Sequence, residues 1–149
     1  MARYNLAQLN IAKMKYAIDD PAMQDFVDQL DPVNESADNS PGFVWRLQTG
    51  EGDATDVRIY DDEYLLVNLS VWESIEALKA FVASQRHGAV MRRRTEWFDR
   101  MDEAYLVMWW VPEHHRPSIQ EAQDKLDMLR KLGPTPAAFD WSNPYSTPE

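Results

Sequence analysis

The sequence predicts an α+β domain of the ferredoxin-like kind, a four-stranded antiparallel sheet with helices against one face. Segments with alternating apolar residues and segments with helical periodicity follow each other in the order β-α-β-β-α-β, and an extra C-terminal helix comes last. The chain has 149 residues, enough for one domain with a substantial core. We therefore expect a single domain over residues 1–149, with an irregular tail over residues 135–149.

The first part of the chain is predicted to form two strands around a helical segment. Residues 4–11 and 43–48 alternate between apolar and polar side chains, which is the pattern of strands. Asp20-Pro21 combines an N-cap residue with a first helical residue and begins a helix. Asp31-Pro32 repeats this signal, so we expect two short helices that meet at a bend.

The middle of the chain is predicted to form a loop, a strand and a long helix. Residues 51–62 are polar, and a short hairpin arm is expected at residues 57–60. Residues 65–72 alternate as a strand, and Ser74 then caps a helix. This helix is expected to break near residues 85–88 and to resume through Phe98.

The last part is predicted to form a buried strand, a helix and a strap. Residues 104–112 are almost all apolar, as in a strand buried on both faces. Ser118 and Glu121 have capping-box spacing, and the helix that they begin should end at Gly133. In the proline-rich tail, Phe139 and Trp141 are the expected anchors.

The composition excludes several classes of function. The formal net charge is −10, so neither nucleic acid nor an anionic membrane is expected as a partner. The absence of cysteine excludes disulfides and thiolate metal sites. No stretch approaches the ~18 consecutive apolar residues of a membrane span, and the N-terminus lacks the apolar core of a signal peptide. We expect a cytoplasmic protein.

The helix-free face of the sheet is predicted to be open. It would carry Trp72, with Trp45 or Arg46 and with Trp109 or Trp110. An apolar surface of that extent is unusual on a monomer and marks an interface. We therefore expect a homodimer in which two sheets close on each other.

Polar side chains lie beside aromatic ones where the strand at residues 65–72 meets its helix. Strand alternation places on one face the side chains of Gln8, Asn10, Arg46, Asn68, Ser70 and Trp72. A few polar groups among aromatic ones are the usual composition of a small-molecule site. A hydrogen-bonded seam between two protomers is the alternative, and the sequence favours neither.

His87 is the best single candidate for acid–base chemistry, because imidazole titrates near neutral pH. The plainer interpretation is a structural residue at the helix bend. Arg92 belongs to a basic triplet and could hold an anionic substrate group, although surface ion pairs are the ordinary use of such residues. The adjacent His114 and His115 would need further ligands to bind a metal, so no metal is expected.

One segment resembles a known superfamily. The run VWES at residues 71–74, followed by Leu78, Phe81 and His87, resembles the strand-to-helix signature of the antibiotic-biosynthesis-monooxygenase type of dimeric α+β barrel. The phrases SPGFVWRL, NLSVW and WWVP more closely resemble one uncharacterised bacterial family, a domain of unknown function within that superfamily. This second resemblance covers most of the chain and implies the fold but no particular activity.

The resemblance also implies roles for individual residues. Cofactor-free, quinone-forming monooxygenases use an Asn on the third strand, a Trp four positions later and an Arg along the helix. Asn68, Trp72 and Arg92 fall at the matching positions. Leu78 stands where these enzymes have an aromatic hydroxyl, so the proton acceptor would need a substitute such as His87. Asn68 would then stabilise the developing oxyanion.

The residues expected to contact the substrate are Trp72, Asn10, Arg46, Ser70, Leu78 and Phe81. Haem-degrading members of the superfamily instead need a Trp and a haem-ligating His on the helix. Phe81 and Met91 occupy those positions, which argues against haem, although Asn10 matches a first-strand Asn.

The leading hypothesis is a cofactor-independent monooxygenase that acts on an aromatic or polyketide-like substrate. A non-catalytic ligand-binding or stress-response dimer is the alternative, and a haem-binding protein is a weaker one.

Overall fold

The computed structural model describes residues 3–48, 57–84 and 92–148. Its elements in chain order are β1 (Tyr4–Met14), α1 (Gln24–Asp38), β2 (Phe43–Arg46), β3 (Leu65–Trp72), α2 (Ile75–Val82), α3 (Arg94–Trp97), β4 (Phe98–Asp99), β5 (Leu106–Pro112) and α4 (Ile119–Leu132). A short 3-10 helix, Pro21–Met23, precedes α1.

The sheet has the strand order predicted for the ferredoxin-like fold. Its main strands lie in the order β2-β3-β1-β5, and all neighbours are antiparallel. The two-residue β4 pairs with the end of β1 and makes the sheet five-stranded, one strand more than predicted. The central pair is therefore β1 and β3, which carry the polar residues of interest.

The register of β1 against β3 separates the side chains into two faces. Gln8 lies opposite Ser70, and Asn10 lies opposite Asn68. These residues share one face with α2, called the α2 face here. The alternate residues, such as Leu9 opposite Leu69, lie on the α4 face.

The α4 face holds the largest hydrophobic core. Apolar residues of β1, β3 and β5 pack there against three buried residues of α4 that recur at helical spacing, Ala122, Leu126 and Leu129. Because the chain's own C-terminal helix covers this face, the prediction of an open aromatic face is wrong. Trp72 and Trp109 are both buried within one chain, and they lie on opposite faces. The homodimer therefore stays a prediction, and an open aromatic face no longer supports it.

The α2 face carries two separate clusters. The Trp72 cluster consists of the buried residues Leu6, Ala37, Trp72, Leu78, Met108 and Phe139. The Trp97 cluster consists of Met14, Met23, Phe26 and Trp97. Helix α1 contributes Phe26 to one cluster and Ala37 to the other, so it reaches from one end of the face to the other.

The predicted caps of α2 and α4 are confirmed. The hydroxyl of Ser74 accepts a hydrogen bond from the amide of Ala77, and that of Ser118 accepts one from the amide of Glu121. Gly133 ends α4 with a φ of 73°, a left-handed conformation that glycine adopts without a Cβ penalty.

The turn before β2 depends on Gly42. Its φ is 82°, and a Cβ at this position would lie 2.5 Å from the Cβ of Ala77. Its carbonyl accepts a hydrogen bond from the amide of Glu73. Glycine therefore allows β2 to begin directly against the start of α2.

The predicted division into two short helices at Asp31-Pro32 is wrong, because α1 continues through Pro32 as one helix. Proline removes one helical hydrogen bond and crowds the preceding turn. The helix tolerates this cost because it is held on both sides of Pro32, by Phe26 in the Trp97 cluster and by Ala37 in the Trp72 cluster.

Two other predictions at the element level need correction. The hairpin arm at residues 57–60 is a tight turn closed by a single bridge between Ile59 and Asp62, with positive φ at Tyr60 and Asp61. The strands predicted at residues 43–48 and 104–112 are longer than the observed ones, because β2 ends at Arg46 and β5 begins at Leu106. The helix break predicted near residues 85–88 lies outside the described residues.

The tail seals the outer edge of β5. The amide and the carbonyl of Phe139 both bond to the backbone of Met108, at 2.9 and 2.8 Å. The indole of Trp110 donates a hydrogen bond to the carbonyl of Tyr145. Such cover removes free backbone groups from an edge strand. No helix in the described part of the chain is long and apolar enough to cross a membrane.

Candidate ligand site on the central strands

A strip of four polar residues crosses the centre of the α2 face. The strip consists of Gln8 and Asn10 on β1 and of Asn68 and Ser70 on β3, and we call it the polar strip. Gln8 and Ser70 are buried, Asn10 is half-buried and Asn68 is exposed. The strip therefore runs from the interior of the sheet to a surface that a ligand can reach.

Hydrogen bonds connect the buried end of the strip. Nε2 of Gln8 donates to Oδ1 of Asn68 at 2.6 Å and to Oγ of Ser70 at 2.7 Å. Nε1 of Trp72 donates to the same Ser70 hydroxyl at 2.9 Å. A buried polar group without a partner costs free energy, so these bonds are what allow polar residues in the middle of the sheet.

The bond from Gln8 determines which end of the Asn68 amide is free. Oδ1 of Asn68 accepts from Gln8, so Nδ2 lies on the other side of the amide group. No described residue accepts a hydrogen bond from this Nδ2. The exposed end of Asn68 is therefore a hydrogen-bond donor, suited to a ligand oxygen.

Apolar residues surround the exposed end of the strip. Leu66 and Leu106 lie on the same face of the sheet, next to Asn68 and Asn10 in the register, and both are half-buried. The Trp72 and Trp97 clusters lie towards the two ends of this face. One oriented amide between apolar surfaces is a common arrangement in small-molecule sites.

Trp72, Leu78 and Phe81 lie together in the Trp72 cluster. Trp72 stacks on Phe81 at 5.2 Å between ring centroids and meets Phe43 edge-on at 5.3 Å. Only 1% of Trp72 is exposed, and Leu78 is also buried. Both have the surroundings of core residues, so the substrate contacts predicted for them stay predictions.

Arg46 lies beside Ser70 in the register but is directed to α1. Its Nε donates to Oδ1 of Asp38, the last residue of α1, at 2.8 Å, and its Nη2 lies 3.3 Å from Oδ2. Such a two-point ion pair is stronger than a single contact. Arg46 thus connects β2 to α1 and places a cation at the edge of the polar strip.

Two predicted catalytic residues, His87 and Arg92, belong to the helical segment expected after β3. Arg92 is exposed, and His87 lies outside the described residues. The neighbour Arg93 forms the ion pairs: its guanidinium contacts Glu96 and Asp25 and lies over the ring of Trp97. Its hydrogen bonds lower the pKa of the Glu96 carboxyl. The roles of Arg92 and His87 therefore stay predictions.

A separate groove of about 300 Å³ lies at the end of the α4 face. Four of its charged residues form two ion pairs: Nζ of Lys13 contacts Asp62, and the Arg130 guanidinium contacts Glu103. The hydrogen bond from Lys13 lowers the pKa of the Asp62 carboxyl. Because these ion pairs are satisfied internally, the groove is a weaker candidate site than the polar strip.

Tyr60, at the rim of this groove, has a pH-dependent contribution to stability. Burial and the hydrogen bond to Asp127 raise the pKa of its phenol. The contribution is complete below the ordinary tyrosine pKa of about 10 and is lost as the pH rises above it. We expect Tyr60→Phe to be less stable than the wild type at pH 8, and the difference to shrink at pH 11.

Urea unfolding of both proteins at the two pH values measures this difference. Tyr16→Phe, a change at an exposed tyrosine, is the matched control. A difference that stays constant from pH 8 to pH 11 would contradict the role assigned to the phenol proton.

The adjacent histidines His114 and His115, for which no metal was expected, are both exposed. His115 contacts Oε1 of Glu121 at 2.7 Å, and the other oxygen of Glu121 accepts from the buried indole of Trp109 at 2.9 Å. His114 lies next to Glu113. Within residues 3–48, 57–84 and 92–148, no group of three or more His, Cys, Asp or Glu is placed to hold a metal ion.

The family model described as Domain of unknown function (DUF3291) matches residues 5–149. The chain belongs to this family. The predicted membership of a domain-of-unknown-function family is therefore confirmed, and the description of the family carries no activity.

The DUF3291 chain is similar to solved structures. A conserved protein from Methanosarcina mazei Go1 has 12% sequence identity, a TM-score of 0.53, and cover of 70% of this chain and 90% of that one. SnoaB, a cofactor-independent oxygenase from Streptomyces nogalater, has 14% identity and a TM-score of 0.47. The match covers 76% of this chain and 95% of SnoaB. No curated protein matches the chain.

Gln8 is the site residue whose role the sequence did not reveal. Strand alternation placed it on the same face as Asn68, among the polar residues of the candidate site, but gave it no function. A glutamine in a strand whose neighbours are Leu6, Ala7 and Leu9 is the signal that was present. Its meaning depended on the register, which brings it opposite Ser70 and within reach of Asn68.

Proposed function

We propose that the DUF3291 chain binds an aromatic small molecule on the α2 face and places a ligand oxygen on the amide of Asn68. One observation carries this proposal: Gln8 holds the Asn68 amide so that its free end is a donor, at an exposed position between apolar surfaces. An oriented donor stabilises a carbonyl oxygen and stabilises an enolate more strongly.

The chemistry that this arrangement supports best is cofactor-independent oxygenation of an anthrone-type or phenolic substrate. Loss of a proton from the carbon next to the rings gives an enolate, whose oxygen Asn68 would hold. The enolate carbon then reduces dioxygen to a bound hydroperoxide, which loses water to give the quinone. One O₂ enters, and one oxygen atom leaves as water, so no external reductant is needed.

The polar strip itself has no group that takes up a proton at neutral pH, because Gln8, Asn10, Asn68 and Ser70 do not titrate there. A proton acceptor must come from outside the strip. We assign this role to His87, as the sequence predicted. Arg92 stays a proposal for holding an anionic substituent, and its exposed position leaves its guanidinium accessible.

The second candidate function is ligand binding without catalysis. Leu78 replaces the hydroxyl that the resembling monooxygenases carry, and in the structure this leucine is buried in the Trp72 cluster. No hydroxyl at this position can take the proton, which favours a binding protein if His87 does not supply the base.

Substitution of Asn68 tests the proposal. With an anthrone-type substrate under oxygen, we expect Asn68→Ala to lower kcat about 100-fold, which is the usual cost of removing one oxyanion donor. Oxygen uptake and quinone absorbance measure turnover, and thermal shift measures binding. Asn143→Ala, a change at an exposed asparagine in the tail, is the matched control and should behave as the wild type.

The outcomes separate the two functions. His87→Gln should keep the thermal shift and lose turnover if the oxygenase proposal holds. A wild-type protein that shows a thermal shift but no oxygen uptake supports the binding protein. A wild type without shift and without turnover across a panel of aromatic ketones and phenols would remove the site altogether.

We retain the homodimer as a proposal, supported by the resemblance to dimeric α+β barrels. Because α4 covers the α4 face, a second copy would have to use other surfaces than the one expected from the sequence. Sedimentation at micromolar concentration tests it, and a single-chain species only would reject it.

A further inference from the structure

We infer that Gln8 is the positioning residue that selects the chemical class of the ligand: it restricts the site to molecules that present a hydrogen-bond acceptor to Asn68. This inference rests on the proposed ligand site and extends it. Gln8 is 3% exposed, so it acts on the ligand through Asn68.

An asparagine amide offers a ligand either an acceptor or a donor. Rotation by a half-turn about the last side-chain bond exchanges Oδ1 and Nδ2, and a fixed partner decides between the two orientations. Here the partner is Nε2 of Gln8, a nitrogen that donates and does not accept. Oδ1 of Asn68 must face it, so Nδ2 faces the ligand.

Gln8 is itself held in this orientation. The same Nε2 lies 3.5 Å from the backbone carbonyl oxygen of Asn68, which only accepts, so the nitrogen of the Gln8 amide and not its oxygen faces β3. Nε2 also donates to Oγ of Ser70, which accepts from the indole of Trp72 as well. The orientation of the exposed amide is therefore set by Gln8 against the fixed backbone of β3.

A glutamate at position 8 would reverse the preference. An ionised carboxylate only accepts, so Asn68 would turn its Nδ2 towards Glu at this position and leave Oδ1 for the ligand. A protonated carboxyl can donate and would keep the original orientation. Burial raises the pKa of a carboxyl, whereas Arg46, beside Ser70 in the register, favours the ionised form.

The test uses two tricyclic probes of nearly the same shape. 9-Fluorenone presents a carbonyl acceptor where carbazole presents an N–H donor, and neither titrates between pH 5 and pH 9. We expect the wild type to bind fluorenone about tenfold more tightly than carbazole at both pH values, which is the difference that one hydrogen bond makes.

The variants should change this ratio and not only the affinity. Gln8→Glu should keep the fluorenone preference at pH 5 and prefer carbazole at pH 9. Gln8→Met, which has no polar group to orient Asn68, should bring the ratio close to one. Asn5→Asp makes the same amide-to-acid change on β1 at a buried position of the α4 face, and it should keep the wild-type ratio.

Each outcome decides one claim. If the wild type binds neither probe, the proposed ligand site fails, and the inference fails with it. If the wild type prefers fluorenone and both Gln8 variants keep that preference at pH 9, the ligand site stands and the role of Gln8 is rejected. If Gln8→Glu does not fold, the ratio measured for Gln8→Met decides alone.

Discussion

Replacing Leu126 by aspartate is expected to unfold the DUF3291 chain or to drive it into aggregates. Leu126 is fully buried on α4 and packs on the α4 face of the sheet. Aspartate removes about 2 kcal/mol of hydrophobic stabilisation and adds several kcal/mol for a buried carboxylate without a partner. A domain of this size is stable by only about 5–15 kcal/mol in total.

Leu132 supplies the matched control on the same helix. It is 63% exposed, so Leu132→Asp should change the free energy of unfolding by about 0.5 kcal/mol or less. Leu126→Ala is an intermediate case, with an expected loss of about 2–5 kcal/mol. Urea unfolding followed by circular dichroism measures all three. Equal stabilities of Leu126→Asp and Leu132→Asp would show that α4 does not cover the sheet in solution.

Trp72→Ala is expected to lower the free energy of unfolding by about 3–5 kcal/mol. The indole is packed between Phe43 and Phe81, and its Nε1 is bonded to Ser70. The alanine leaves a cavity the size of an indole and removes the donor to the Ser70 hydroxyl.

One variant separates packing from hydrogen bonding at Trp72, and a change at an exposed aromatic residue is the matched control. Trp72→Phe keeps an aromatic ring in the cluster but loses the donor to Ser70, so it should cost less than the alanine variant. Tyr105→Ala removes an aromatic ring that is 46% exposed and should change stability by about 0.5 kcal/mol or less. Denaturation midpoints at unchanged m-value measure the differences. A Trp72→Ala protein as stable as the Tyr105→Ala protein would contradict the core assignment.

The elements with strong local signals were predicted well. The strand at residues 65–72 and the helix between Ser118 and Gly133 have the predicted bounds, because alternation and capping are local properties of the chain. The division into two helices at Pro32 was predicted wrongly. Whether a helix bears an internal proline depends on contacts at both of its ends, and these are made by residues far away in the sequence.

The shared face of the polar strip was visible in the sequence, whereas its hydrogen bonds were not. Period-two alternation alone places Asn68 and Ser70 on one side of a strand. The position of Gln8 opposite Ser70 is a matter of register, which is set by the packing of both faces. For this reason the role of Gln8 in orienting Asn68 appeared only in the folded chain.

By itself the sequence determined the strand and helix order, the family, and the presence of amides at the centre of an apolar sheet. Local periodicity and motif residues are sufficient for those conclusions. Only the tertiary structure decided that α4 covers the face expected to be open, and that Gln8 leaves the donor end of Asn68 free. Both depend on which distant segments meet, and the free energy of burying apolar surface over the whole chain determines that choice.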